Sequence, residues 1–190
     1  MDPLTRLALA ARAGDADSLE RFAATGYDDV WRLCAALVDP SSADDLAQEV
    51  FGRAVRALPE YRGESAARTW LLSIARRTCM DELRSRSRQR RTLRAVASTA
   101  HTASVPDHSG QLAVEDLLAR LDPDRRVAVL LTQVLGLSYE EVAEICACPV
   151  GTVRSRVARG RSDLLALLDA DADAGAAAPG GGGAQAGPRA

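Results

Sequence analysis

SYEEVAEICACPVGTVRSRVARGRSDLL, residues 138–165, is the stretch on which the fold turns. Ser138-Tyr139-Glu140-Glu141 has the form of a capping box. The serine hydroxyl accepts from the Glu141 amide, and the Glu141 carboxylate reaches back to the Ser138 amide. A short helix is expected next, with Val142, Ala143, Ile145 and Cys146 turned inward. Ala147-Cys148-Pro149-Val150-Gly151 reads as a tight turn of small residues. A second helix starts near residues 150–152 and keeps Val153, Val157, Leu164 and Leu168 inward. Small residues at the turn let the two helices pack close to perpendicular, as a helix-turn-helix requires. The second helix then exposes Thr152, Arg154, Ser155, Arg156, Arg159 and Arg161. Arginines near the start of such a helix can grip guanine O6 and N7 with two hydrogen bonds, or clamp a phosphate. A plain helical hairpin with a solvated basic face is the simpler alternative. It gives no reason for a short helix, a tight turn and a basic second helix occurring together.

Working outward, Asp122-Pro123 opens another helix, with Pro at its first position. That helix carries Val127, Leu130, Leu131 and Val134 and stops at Gly136. Residues 96–112 are small and polar without periodicity and read as a linker. Residues 169–190, rich in Ala, Asp and Gly, read as a disordered tail. Upstream, helical spacing dominates residues 1–95. Asp17-Ser18-Leu19-Glu20 has capping-box form, and Gly26 is a possible break. Ser42 precedes Asp45 as an N-terminal signature, and an apolar face from Leu46 to Leu58 ends at Pro59. Ser65 is the expected cap of a long helix with Trp70, Leu71, Ile74, Ala75, Thr78 and Leu83 inward. The expected fold is all-α, with two small helical domains, 1–95 and 113–168, joined by a flexible linker. The C-terminal domain is the helix-turn-helix.

Lys+Arg number 24 against 26 acids, for a formal net charge of -2, and every basic residue is arginine. The absence of lysine and the abundance of alanine suit a GC-rich genome. The total hides the pattern. Residues 61–95 hold 10 Arg against 3 acids, and residues 151–168 hold 4 against 1, with acidic blocks around them. Two basic helices in two modules point to a polyanion contacted at two places. No apolar run approaches the length of a membrane span. The opening segment lacks the charged and apolar regions of a signal peptide, so a cytoplasmic protein with reduced thiols is expected. Cys146-x-Cys148 with His101 and His108 is a weak zinc pattern, so no metal and no cofactor is expected. Phosphate-loop and nucleophile-elbow motifs are absent, which argues against an enzyme.

The 138–165 stretch closely resembles the C-terminal promoter-reading domain of bacterial sigma factors of the extracytoplasmic-function (ECF) group, of actinobacterial type. SADDLAQEVFGRAVRAL resembles their polymerase-binding helix. YRGESAARTWLLSIARRTCMDELR resembles their segment that opens the promoter. The likeness implies core RNA polymerase as partner, through the β′ clamp helices and the β flap. It places the clamp-helix contact on Asp44, Asp45, Gln48, Glu49 and Phe51. It implies contact with the -10 element through Tyr61, Arg62, Arg68, Arg76, Arg77 and Arg84. Opening a duplex costs a few kcal/mol per unstacked base, which stacking and a basic groove offset. It implies contact with the -35 element through Thr152, Arg154, Ser155, Arg156 and Arg159. Arg77 stands where many members carry Asn, and Ala158 where some carry a bulky residue. An anti-sigma factor is a further implied partner, with no membrane contact. The rival from another class is a free-standing helix-turn-helix regulator of duplex operator DNA, which needs neither the Asp44–Phe51 helix nor the promoter-opening segment.

Overall fold

In the computed structural model, residues 1–96 and 116–176 are described. They are helical, with no strand among them. The first module holds α1 (Pro3–Arg12), α2 (Ala16–Leu37), α3 (Ala43–Ala57) and α4 (Ala67–Val96). The second holds α5 (Pro123–Val129), α6 (Tyr139–Cys146) and α7 (Val150–Ala176). Most of the proposed linker, and both histidines, lie outside the described residues.

The helix ends show which expectations the local chemistry met. The Ser138–Glu141 box forms in both directions, at 3.2 Å and 2.8 Å. Asp122 caps α5 with its carboxylate. Gly136 ends the following turn at φ +67°, a conformation that costs an L side chain. Two expected caps moved, and a third makes no cap bond. Asp15, not Asp17, caps α2, accepting from the Asp17 amide and the Ser18 hydroxyl. The first amide of α4, at Ala67, donates to the Thr5 hydroxyl of α1 at 2.8 Å, so a distant residue replaces Ser65. Ser42 precedes α3 without a side-chain cap bond. Gly26 does not break α2. It is buried where α2 meets α4, and a Cβ there would stand 2.7 Å from Leu71 Cδ2.

Asp39 ties the α2–α3 corner to α4. Its carboxylate accepts from the Ser41 hydroxyl at 2.5 Å and the Ser42 amide at 2.8 Å, and pairs with Arg86. Burial alone raises its pKa, but the bonds from Ser41, Arg86 and Ser42 outweigh that and lower it to about 2. Such a carboxyl stabilises the fold above its ordinary pKa of 3.8, and the effect is lost as pH falls through about 2. The side chain keeps 30% of its exposure, so solvent screening weakens the pair. Asp39→Asn is expected to cost about 1–2 kcal/mol at neutral pH, a gap that narrows from about pH 4 downward. Urea unfolding of both proteins at several pH values reads it.

The buried residues of both modules form one continuous core, from Phe22, Leu33, Leu37, Leu71 and Leu72 to Leu131, Val142, Val153 and Val157. The two modules, expected as tethered bodies, are docked through α2 and α4 on one side and α5 and α6 on the other. Arg126 of α5 is 7% exposed and donates to Leu37 O at 2.8 Å and Ala119 O at 2.5 Å. It thereby satisfies a carbonyl left open at the end of α2. α7 runs past the expected boundary at 168 to Ala176, because Ala-rich sequence favours helix and Asp171 pairs with Arg120 at 3.0 Å. Leu168 is 50% exposed rather than inward.

Candidate nucleic-acid interface

On α7 the expected division of faces holds at its first turns. Val153 and Val157 are buried, while Arg154, Ser155 and Arg159 are exposed. The Arg154 guanidinium lies 6.0 Å from the Tyr139 ring centroid, which braces it from α6. Ser155 donates to Thr152 O. Thr152 is the third helical residue, half-buried, and its amide donates to Pro149 O. Ala147 takes the left-handed conformation, φ 50°, between α6 and α7. Burial pushes the Cys146 thiol up to about 11, so it packs as a protonated group.

Arg156 points elsewhere. It pairs with Asp124 at 2.5 Å, and Asp124 also faces Arg76 of α4 at 3.5 Å. Arg68 pairs with Asp29 at 2.6 Å and donates to Leu135 O at 2.9 Å. Three arginines expected on nucleic acid are thus engaged at or beside the contact between modules. Arg62 and Arg77 are exposed, and Arg84 sits near Asp81 at 3.4 Å. Tyr61 is 4% exposed, so it is not an open stacking platform. Its ring packs on Trp70 with centroids 4.8 Å apart, and its hydroxyl donates to Ser65 O. Together with Arg62, Glu64 and Ser65 these two aromatics line a cavity of about 260 Å³. Trp70, expected mainly as core, is half-buried and forms part of its wall.

α3 buries Leu46, Ala47, Val50 and Ala54 and exposes Asp44, Asp45, Gln48 and Glu49. Phe51 is half-buried and stacked on Tyr27, with centroids 6.2 Å apart and planes at 10°. Asp44 accepts from the Tyr27 hydroxyl at 2.8 Å and the Trp31 indole at 3.0 Å. Reading residues from sequence missed Tyr27 and Trp31 as part of this surface. Their polar tips, which seek a partner at a half-buried position, were the available signal. Acidic and aromatic groups therefore share one face, suited to a basic, amphipathic partner.

The described family model for sigma-70 region 2 matches residues 23–89, and that for sigma-70 region 4 matches residues 111–164. The ECF RNA polymerase sigma factor SigC of Mycobacterium tuberculosis is 47% identical over 176 residues, covering 90% of this chain and 94% of the relative. The chain belongs to the ECF sigma factors of RNA polymerase. The ECF RNA polymerase sigma-E factor of Haemophilus influenzae is 34% identical, covering 84% of this sigma factor and 93% of its relative. CnrH, solved in complex with the cytosolic domain of CnrY, superposes with a TM-score of 0.72 at 26% identity. That match covers 90% of this sigma factor and 99% of CnrH. The sigma factor RpoE of Bartonella quintana, solved with the anti-sigma factor NepR, gives 0.62 at 28% identity, covering 80% and 97%. Promoter-directed transcription initiation by RNA polymerase is the function of this sigma factor. The free-standing operator-binding regulator is set aside, since the region 2 match accounts for the first module that such a regulator does not need. No helix among its described residues is long and apolar enough to cross a membrane.

Proposed function

We propose that the sigma factor works through three surfaces, each named by its residues. Asp44, Asp45, Gln48, Glu49 and Phe51, with Tyr27 and Trp31 beside them, dock the β′ clamp helices of core polymerase. The exposed acids and the stacked Tyr27–Phe51 pair support this. Arg62, Arg77 and Arg84, with the cavity walled by Tyr61 and Trp70, hold the opened -10 strand. Arg68 and Arg76 join them once released from Asp29 and Asp124. Arg154, Ser155 and Arg159 read the -35 element, with Thr152 and Arg156 near its phosphates. The protein itself does no chemistry and acts in the cytoplasm; the polymerase, which also meets the second module through its β flap, makes the RNA. An anti-sigma factor is a proposed partner, as in the Bartonella quintana complex. Residues 1–95 and 113–168 form the two functional domains.

The observation that carries this reading is the capped α6–α7 pair, which leaves Arg154, Ser155 and Arg159 outward on one helix. Arg159→Ala is expected to weaken -35 recognition at one base position by about 1–3 kcal/mol, the worth of a bidentate base contact. Transcription from a set of promoters carrying single -35 substitutions measures it. An equal loss on every promoter reassigns Arg159 to a phosphate.

A further inference from the structure

The last turns of α4 carry more positive charge than the promoter contacts account for. Arg86, Ser87, Arg90 and Arg91 recur at helical spacing, so they share one side of the helix. That side faces α5 across a cavity of about 430 Å³, whose far wall includes Arg126. Among the described residues, four guanidinium groups line it and no carboxylate does. Arg86 has its charge matched by Asp39 and Glu82. Arg90 and Arg91 form no ion pair among the described residues.

Arg126 is the unusual member. It is 7% exposed, its two amino groups are spent on carbonyls, and its Nε is buried without a hydrogen-bond partner among the described residues. Buried polar groups are nearly always satisfied, and buried charges are nearly always paired. Its charge has no carboxylate partner among the described residues. A planar guanidinium fork matches a phosphate bidentately, and several converging forks select an anion with more than one charge. The groups converge on a concave space between two modules. Duplex DNA is read on an open face, and the buried Arg126 cannot reach one.

We propose that this cavity is a binding site for a small phosphate-bearing anion, of the class of pyrophosphate or a nucleoside polyphosphate, which bridges α4 and α5. An anion held by Arg90 and Arg91 on one module and Arg126 on the other binds only while the modules face each other. Its binding therefore favours the docked arrangement, by linkage. Arg68, Arg76 and Arg156 are then held in their protein contacts and kept from DNA.

The test uses the full chain in chloride buffer at about 0.15 M ionic strength, so that non-specific anion adhesion is screened. Isothermal titration with pyrophosphate is expected to give saturable one-site binding. Adenosine triphosphate without metal binds at the same site. Comparable affinities mean that phosphate alone is recognised, and a tighter nucleotide means that the base lodges in the cavity as well. Arg90→Ala/Arg91→Ala, both exposed and outside the core, is expected to weaken pyrophosphate at least about tenfold. Arg126→Met is expected to weaken it too, but that variant can also unfold, so the double variant carries the decision. Arg32→Ala, exposed and away from the cavity, leaves binding unchanged. Energy transfer between dyes on the two modules is expected to rise with pyrophosphate. Absence of saturable binding at up to about 10 mM overturns the proposal. So does binding indifferent to Arg90→Ala/Arg91→Ala, or energy transfer that does not respond. Binding of short duplex DNA through these arginines, with no pyrophosphate binding, reassigns them to the DNA backbone.

Discussion

Core RNA polymerase is expected to bind the Asp45→Arg/Glu49→Arg double variant at least about a hundredfold more weakly than the parent protein. The two residues are one helical turn apart on the outward side of α3. Like charge set against a basic partner costs several kcal/mol, and each 1.4 kcal/mol is about tenfold. The fold does not depend on either group. The Asp45 side chain makes no ion pair or hydrogen bond among the described residues. Glu49 holds Arg53 at 2.6 Å on the surface, a helix pair worth about 0.3–0.5 kcal/mol. Asp44 is left in place because it anchors Tyr27 and Trp31. Fluorescence anisotropy with labelled protein and core polymerase gives the affinity. Circular dichroism and thermal melting check that the helices persist. An unchanged affinity removes the polymerase contact from α3.

Why α3 was readable in advance while the docking of the modules was not is a matter of sequence distance. The acids of α3 lie opposite Leu46, Ala47 and Val50 within a single helix, so spacing alone separates the two faces. The Ser138–Glu141 box is equally local, and it formed as written. Arg126 and Leu37 are 89 residues apart, and Arg68 and Leu135 are 67 apart. No periodicity reports such pairs. An exposed arginine and one bonded across a domain boundary look alike in sequence. The same limit moved the cap of α4 from Ser65 to Thr5, which lies 62 residues from the Ala67 amide it accepts from. The surroundings of Tyr61 were hidden for a related reason. The resemblance puts this aromatic at the -10 contact, but only the arrangement with Trp70 shows its ring covered.

The docked arrangement also changes what the charge pattern means. The arginine-rich blocks at 61–95 and 151–168 suggest two patches free to meet DNA. In the structure Asp124 stands between Arg76 and Arg156, so one acid occupies a basic group from each block at once. On the reading proposed above, promoter binding exchanges these contacts for phosphates. Part of the electrostatic gain on DNA therefore offsets the loss of internal ion pairs. Arg154 and Arg159, which have no carboxylate partner among the described residues, keep their full contribution.

Phe22→Ala is expected to remove about 3–5 kcal/mol of stability, the usual cost of emptying a core aromatic site. Phe22 is 1% exposed, and its ring stands 6.4 Å from Trp70, which in turn packs on Tyr61. The vacated volume lies behind the aromatic wall of the cavity proposed to hold the -10 strand. Strand opening should therefore suffer alongside stability, while the α6–α7 pair keeps its own core of Val142, Val153 and Val157. Calorimetry separates two situations. If the docked modules melt as one unit, a chain of this size loses about 2–4 °C per kcal/mol, so a single transition falls by about 6–20 °C. If the first module melts alone, its smaller size makes the shift about 4–8 °C per kcal/mol, and the second module's transition stays in place. The continuous core running from Leu37 to Leu131 favours the single transition. A parent-like melting curve would mean that the α2–α4 packing closes over the gap, and that Phe22 is not the support on which the Tyr61–Trp70 wall rests.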